Sequence, residues 1–265
     1  MVKVMGVVNV TPDSFSDGGQ HDSPDQAIAH GLALLDEGAA VIDVGGESTR
    51  PGSLPVDETT ELARAIPVIE GIIEARPDAV ISIDTSKPAV ADAAAVAGAT
   101  ILNDVTASLE AVAARNNMGW IAMHASGPSA TMQDDPRYGD VVGEVADYLQ
   151  LAHQRGVDAG VQQIWIDPGI GFGKTLDHNL ALIAAYDRFI DIAPTVVAVS
   201  RKRSIGMMQA ASDATVGLGD DDATSVDDRL EGSLAIATWG AFLGADMIRV
   251  HDVRATVHAV GVIAS

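Results

Sequence analysis

The sequence predicts an α/β chain folded as a single (β/α)8 TIM barrel, an eight-stranded parallel sheet with outer helices. Two observations carry that prediction. Eight short apolar, mostly β-branched runs recur along the 265 residues, and nearly every run ends in a polar side chain. Stretches long enough for a helix separate them, and strands alternating with helices build parallel βαβ units. In a closed barrel of eight such units the active site lies at the C-terminal ends of the strands, so the run ends are candidate functional residues.

Taken in order, the first run is VMGVVN, ending at Asn9; the Gly/Ser/Asp-rich stretch 10–23 that follows is expected to be a loop. Residues 24–37 (PDQAIAHGLALLDE) carry helical periodicity, with Ile28, Leu32 and Leu35 on the expected buried face and Gly38 as the cap. VIDVGGES ends at Ser48, within a second long loop, 46–56. Asp57 is an N-cap for the next helix, and Glu58 adds first-turn acidity. VISID ends at Asp84, and Pro88 falls in a first helical turn, where proline is tolerated. TILND ends at Asp104 and WIAMH at His124; these strands follow at spacings of only about 20 residues, above the ~10–12 a crossover needs. QIWID ends at Asp167, VVAVSRK at Lys202 and MIRVHD at Asp252. Later helices are expected at 139–156, 176–190, 229–243 and 253–263, and the acidic stretch 209–228 is expected to be a mobile, solvated surface insertion. No composition break marks a second domain, so 1–265 reads as one domain.

Composition narrows the function classes. The 47% hydrophobic content suffices for a large core, and with no cysteine there is neither a disulfide nor a thiolate nucleophile. A net charge of −21 argues against nucleic acid or an acidic membrane as partner. No apolar stretch reaches the ~18 residues of a membrane span and no signal peptide opens the chain, so a cytoplasmic protein is the default expectation. An anionic substrate would need a local basic cluster or a metal ion, and Arg50, Arg201, Lys202, Arg203, Arg249 and His251 all fall at or near strand ends.

Several of these residues point to chemistry. Asp84 and Asp167 are carboxylates at strand ends, and the glycine-rich turn after Asp167 lets a ligand approach the backbone. Asn103 and Asp104 are adjacent, so only one faces the barrel mouth, and alternation alone does not choose. Arg249 and His251 share a strand face, a pairing that suits a phosphate. Lys202 either belongs to a phosphate site or forms a Schiff base. His124 is a lone histidine, better suited to hydrogen bonding than to metal ligation. Asn9 is neutral and suits weak ligation of a hard cation. GIGFGK lacks the GxxxxGK[ST] pattern of a nucleotide-hydrolysing loop.

NVTPDSFSDGG at 9–19, DVGGESTRPG at 43–52, SIDT at 82–85, ND at 103–104, MH…TMQ at 123–133, DPGIGFGK at 167–174, SRK at 200–202 and RVHDV at 249–253 occur in one order along the chain. In this the sequence resembles the dihydropteroate synthases, over essentially its whole length. The resemblance implies an enzyme that joins 4-aminobenzoate to 6-hydroxymethyl-7,8-dihydropterin diphosphate, with Mg2+ as cofactor and a homodimer as assembly. Carried over by motif, Asp84, Asn103, Asp167 and Lys202 would hydrogen-bond the pterin and Arg249 would pack on its face. Asn9 would hold Mg2+ on the diphosphate, which Arg249 and His251 would contact. Thr49 and Arg50 would approach the reacting end, and Ser48, Pro51 and Phe172 would border the aminobenzoate. Asp84, Lys202, Arg50 and Asp167 are the implied catalytic set. Arg203 and Ser204 depart from the serine and bulky apolar residue usual after SRK. The alternatives are a pterin-binding paralogue without turnover and a methyltetrahydrofolate-binding methyltransferase.

Overall fold

Parallel pairing joins all eight strands of the computed structural model, which describes residues 2–11, 24–48, 53–218 and 222–263. In chain order these are β1 (Lys3–Asn9), β2 (Val41–Gly45), β3 (Ile81–Asp84), β4 (Ile101–Asp104), β5 (Gly119–Met123), β6 (Ile164–Asp167), β7 (Val196–Val197) and β8 (Met247–Val250). They lie side by side in the order β6-β5-β4-β3-β2-β1-β8-β7. A bridge between Ile166 and Thr195 brings β6 back beside the start of β7 and closes the barrel.

Ten helices surround the sheet among the described residues: α1 (Pro24–Asp36), α2 (Glu58–Ala75), α3 (Pro88–Ala97), α4 (Glu110–Arg115), α5 (Val141–Ala159), α6 (Leu176–Ala184), α7 (Tyr186–Ile190), α8 (Arg203–Thr215), α9 (Leu230–Leu243) and α10 (Val253–Ile263). None is long and apolar enough to cross a membrane.

Strand alternation sorts the apolar residues into two cores. Val4, Val8, Ile42, Val44, Ile83, Leu102, Trp120, Ile166 and Ile248 point outward into a large cluster shared with the helices. Met5, Val41, Ile101, Ile121, Trp165, Val196, Ala198 and Met247 form a second, smaller cluster that plugs the barrel interior. Polar residues in phase with that plug therefore continue up the lumen towards the strand C-termini. Asp43 lies two residues beyond Val41, Asn103 two beyond Ile101, Asp167 two beyond Trp165 and Arg249 two beyond Met247. The register places Asp84 level with both Gly45 and Asn103.

Capping follows local chemistry. Asp57 accepts the Thr60 amide at the start of α2, as expected, and Asp140 accepts the Gly143 amide at the start of α5. Other expectations need correction. On α1 the buried stripe is Ala27, Gly31 and Leu34, whereas Ile28, Leu32 and Leu35 are half-buried flanks. At Gly31 an added Cβ would meet Ile72 Cδ1 at 2.6 Å, so the missing side chain lets α1 pack closely against α2. The helix expected over 176–190 breaks at Ala185 into α6 and α7. The first residues of the 209–228 stretch are not a loop but the end of α8, which runs through the helix-forming GMMQAASDA segment and buries Ala210. Strand β2 stops at Gly45, short of Ser48, and β7 pairs over only two residues.

Candidate functional site

The C-terminal ends of β3, β4, β5, β6 and β8 converge with two loops on a narrow cleft. Asp84, Asn103, Val105, Met123, Asp167, Phe172, Ala198, Lys202 and Arg249 line it. Asn103 faces this cleft. Its neighbour Asp104 points the other way, accepting the Ser108 and Leu109 amides and the Trp120 indole N–H. Alternation thus settles the Asn103/Asp104 pair once the register is known.

Arg249 is the hub of the cleft. Its Nε donates to Asp43 Oδ2 at 2.7 Å and its Nη2 to Asp84 Oδ2 at 2.8 Å. Asn103 Nδ2 donates to the same Asp43 oxygen at 3.1 Å. Burial opposes the Arg249 charge, but Asp43 and Asp84 more than offset it and hold its pKa above the usual arginine value. Burial also pushes the Asp84 carboxyl up to about 7, against the pull of Arg249, with Asp43 and Glu61 adding repulsion. Asp43 is fully buried, and sequence reasoning missed it because it sits inside its run rather than at the end. Its signal was a carboxylate in an otherwise apolar strand, in phase with Val41.

Asp167 and Lys202 face each other across the cleft. Burial raises the Asp167 pKa although Lys202 and the Gly169 amide, 2.7 Å from its Oδ1, pull it down. Burial lowers Lys202 to about 8, against Asp167. Lys202 Nζ donates to the Ile170 carbonyl at 2.5 Å and lies 4.6 Å from the Phe172 ring centre. Lys202 is not on a strand end, as the sequence suggested, but caps the start of α8. The chain turns there through Arg201, whose φ of 57° lies in the left-handed region. That conformation is pinned by Asp252, which accepts two bonds from the Arg201 side chain, and by Ser233 Oγ, which accepts its amide. Asp252 is therefore engaged by Arg201 rather than by Arg249 or His251.

The loop after β6 is held by a lysine that sequence reasoning passed over when it discounted the GFGK turn. Lys174 Nζ, buried, reaches His124 Nδ1 at 3.0 Å and the Gly169 and Phe172 carbonyls at 2.9 and 3.0 Å. Burial lowers its pKa to about 7, and burial with the Lys174 charge lowers His124 to about 3. His124 is thus a neutral hydrogen-bonding group. Gly169, at φ +66°, passes so close to the His124 carbonyl that an added Cβ would lie 1.8 Å from it. No other residue fits that turn.

A wider cavity of about 480 Å³ adjoins the cleft and shares Asp84 and Phe172 with it. Glu47, Ser53, Glu61, Thr85, Thr106 and Met132 contribute to its wall. Ser204, at the start of α8, is buried, and its hydroxyl has no hydrogen-bond partner among the described residues. His251 is tied to Ser200, with Nδ1 and the backbone amide each 3.1 Å from its Oγ, and does not line the cleft. Asn9 ends β1 half-buried, beside Gly45, and Ser48 is half-buried with its carbonyl accepting from Ser53 Oγ. Thr49, Arg50 and Pro51 lie outside the described residues.

Known proteins match this chain over nearly its whole length. A family model described as pterin binding enzyme matches residues 5–251. The dihydropteroate synthase of Escherichia coli (strain K12) is 44% identical over 98% of this chain and 90% of its own. The chain belongs to the dihydropteroate synthase family. Two solved structures of the Xanthomonas albilineans dihydropteroate synthase extend the likeness to three dimensions. One, with 4-aminobenzoic acid, is 41% identical with a TM-score of 0.88, covering 99% of this chain and 92% of that one. The other, in complex with 7,8-dihydropteroate, is 37% identical with a TM-score of 0.84 and the same coverage.

Proposed function

We propose that this chain condenses 6-hydroxymethyl-7,8-dihydropterin diphosphate with 4-aminobenzoate to form 7,8-dihydropteroate and diphosphate. The observation that carries the reading is the convergence of Asp84, Asn103, Asp167, Lys202 and Arg249 on one cleft in a chain of this family. A pterin offers ring N–H donors beside ring acceptors. Asp84 and Asp167 accept from the donors, Asn103 and Lys202 meet the acceptors, and the Arg249 guanidinium covers the ring face.

The reaction breaks the carbon–oxygen bond to diphosphate, which leaves with the electron pair. The arylamine nitrogen then bonds to the same carbon and loses a proton to solvent. Carboxylates lining the cleft, Asp84 foremost, stabilise the cationic pterin carbon as the leaving group departs. An arylamine near neutral pH is already unprotonated, so no strong general base is required. Arg50, assigned by its motif to the reacting end, completes the proposed catalytic set with Asp84, Asp167 and Lys202.

Asn9 is assigned to Mg2+, and its chemistry fits a limited role. One neutral amide oxygen does not hold Mg2+ alone, but it suits an ion that arrives bound to diphosphate and keeps several waters. When bound, Mg2+ supplies charge neutralisation to the leaving group. Arg249 and His251 are assigned to the diphosphate, Thr49 with Arg50 to the reacting end, and Ser48, Pro51 and Phe172 to the aminobenzoate side. The N-terminus of α8, with Arg203 and a Ser204 hydroxyl that has no partner among the described residues, suits the aminobenzoate carboxylate. A cytoplasmic homodimer is part of the same proposal.

The test is to incubate the protein with both substrates and Mg2+ and follow diphosphate and pteroate together. Equimolar appearance of the two, dependent on 4-aminobenzoate, is expected. Tight pterin binding without any pteroate would overturn the reading in favour of a binding paralogue.

A further inference from the structure

One charged network in the wider cavity takes no part in the chemistry above. Lys87, at the N-cap of α3, donates from Nζ to Glu47 Oε2 and to Glu61 Oε2, the latter at 2.5 Å. Glu61 is fully buried in the first turn of α2, and its second oxygen, Oε1, has no hydrogen-bond partner among the described residues. Glu47 belongs to the irregular segment between β2 and α2, one residue before Ser48. The network therefore ties together the connections that follow β2 and β3.

The geometry points to Lys87 as a positioning residue for the second substrate: by holding Glu47 against the buried Glu61, it fixes the segment 46–48 that leads to the proposed aminobenzoate wall. This inference rests on the function proposed above.

Three observations make the lysine necessary. Glu61 does not withdraw, because it is built into a helix and packed under Gly46, where an added Cβ would meet its Cγ and carbonyl at 3.0 Å. Two carboxylates sharing one cavity wall repel unless a cation lies between them. Burial opposes the Lys87 charge, but its bonds to Glu47 and Glu61 outweigh that and keep it protonated. Without the lysine, Glu47 is the partner free to move, since it belongs to neither strand nor helix. Its departure loosens the backbone next to Ser48, although Arg64 Nη1 still holds the Gly46 carbonyl at 3.0 Å and Ser53 Oγ the Ser48 carbonyl at 2.5 Å.

The pterin side feels this change only through the repulsion that Glu61 adds at Asp84. Asn103, Asp167 and Arg249 stand on their own strands, and Asp84 is paired with Arg249 at 2.8 Å. The Lys87 amide keeps its own bond to Thr85 Oγ1 at 3.1 Å whatever its side chain becomes. A loss that falls mainly on 4-aminobenzoate is therefore expected.

The experiment measures steady-state kinetics of the full chain for both substrates, in wild type, Lys87→Met, Lys87→Arg and Glu47→Gln. In Lys87→Met the KM for 4-aminobenzoate should rise about tenfold or more, while the KM for pterin diphosphate stays within about twofold. Lys87→Arg should recover most of that loss, because it restores the cation between the two carboxylates. Glu47→Gln, which removes the repulsion but weakens the tether, should give an intermediate rise and covers the case in which Lys87→Met does not fold. An active wild type with Lys87→Met or Glu47→Gln unchanged, or with both KM values raised in parallel, overturns the inference alone. A wild type without synthase activity overturns the function reading itself, and this inference with it.

Discussion

Removing Asp43 should damage the cleft from below, and the size of the damage follows from what its two oxygens do. Oδ2 accepts from both Arg249 Nε and Asn103 Nδ2, whereas Oδ1 has no partner among the described residues. In Asp43→Ala, Asn103 loses an acceptor in a buried site and Arg249 keeps only Asp84. Losing one charge-assisted bond costs about 1.5–3 kcal/mol, and leaving a buried donor unsatisfied costs about 1–3 kcal/mol. The two share one oxygen, so a combined loss of about 3–5 kcal/mol is expected, in line with broken buried ion pairs. Asp43→Asn differs. An amide oxygen placed at the Oδ2 position keeps both bonds, but the charge is lost and its NH2 puts a buried donor where the unpartnered oxygen stood. That variant should cost about 1–3 kcal/mol, less than alanine. Urea denaturation followed by circular dichroism measures both, and calorimetry with pterin diphosphate should rank affinities as wild type, Asp43→Asn, Asp43→Ala. An alanine variant within about 0.5 kcal/mol of wild type would refute the hub reading, as that is the range of neutral surface changes.

Asp84→Asn, Asp167→Asn and Lys202→Ala should each lower kcat/KM by at least about tenfold with the fold intact, since each loses a charged hydrogen bond to ligand worth about 1.5–3 kcal/mol; a folded Asp84→Asn protein with near-normal turnover would remove that residue from the mechanism. Stability should fall as pH rises from about 4 to about 7. The folded Asp84 carboxyl, raised from 3.8 to about 7, binds more protons than the unfolded one in that window. At ~1.36 kcal/mol per unit the effect is on the order of 4 kcal/mol, and it should be missing from Asp84→Asn in urea titrations at several pH values. Turnover should rise through the same window, because the ionised carboxylate is the form that accepts from the pterin. Chelating Mg2+ should weaken pterin diphosphate far more than the unphosphorylated pterin alcohol, and equal weakening of the two in calorimetry would contradict the role given to Asn9.

Local sequence by itself determined the barrel and where β1, β3, β4 and β6 end, at Asn9, Asp84, Asp104 and Asp167. A run such as VISID is β-branched, too short for a helix and closed by a charge, and eight such runs admit few parallel closures. For the same reason Asp84, Asp167 and Arg249 were legible as mouth residues, because strand polarity is a local property, whereas alternation alone left Asn103 and Asp104 undecided. Motif order along the chain supplied the family, and the 44% identity to a named synthase bears it out. Only the tertiary structure decided the partners. Arg249 and Asp43 are 206 positions apart, Lys174 and His124 are 50, and Lys87 and Glu47 are 40. No periodicity within one strand records which side chains meet across a closed barrel, because register and closure set that jointly. The same cause moved Lys202 from a strand end to a helix cap and turned His124 into a neutral acceptor for a buried lysine. Charge at a run's end can be read from a sequence, but what neutralises it depends on the strands and loops that close over it.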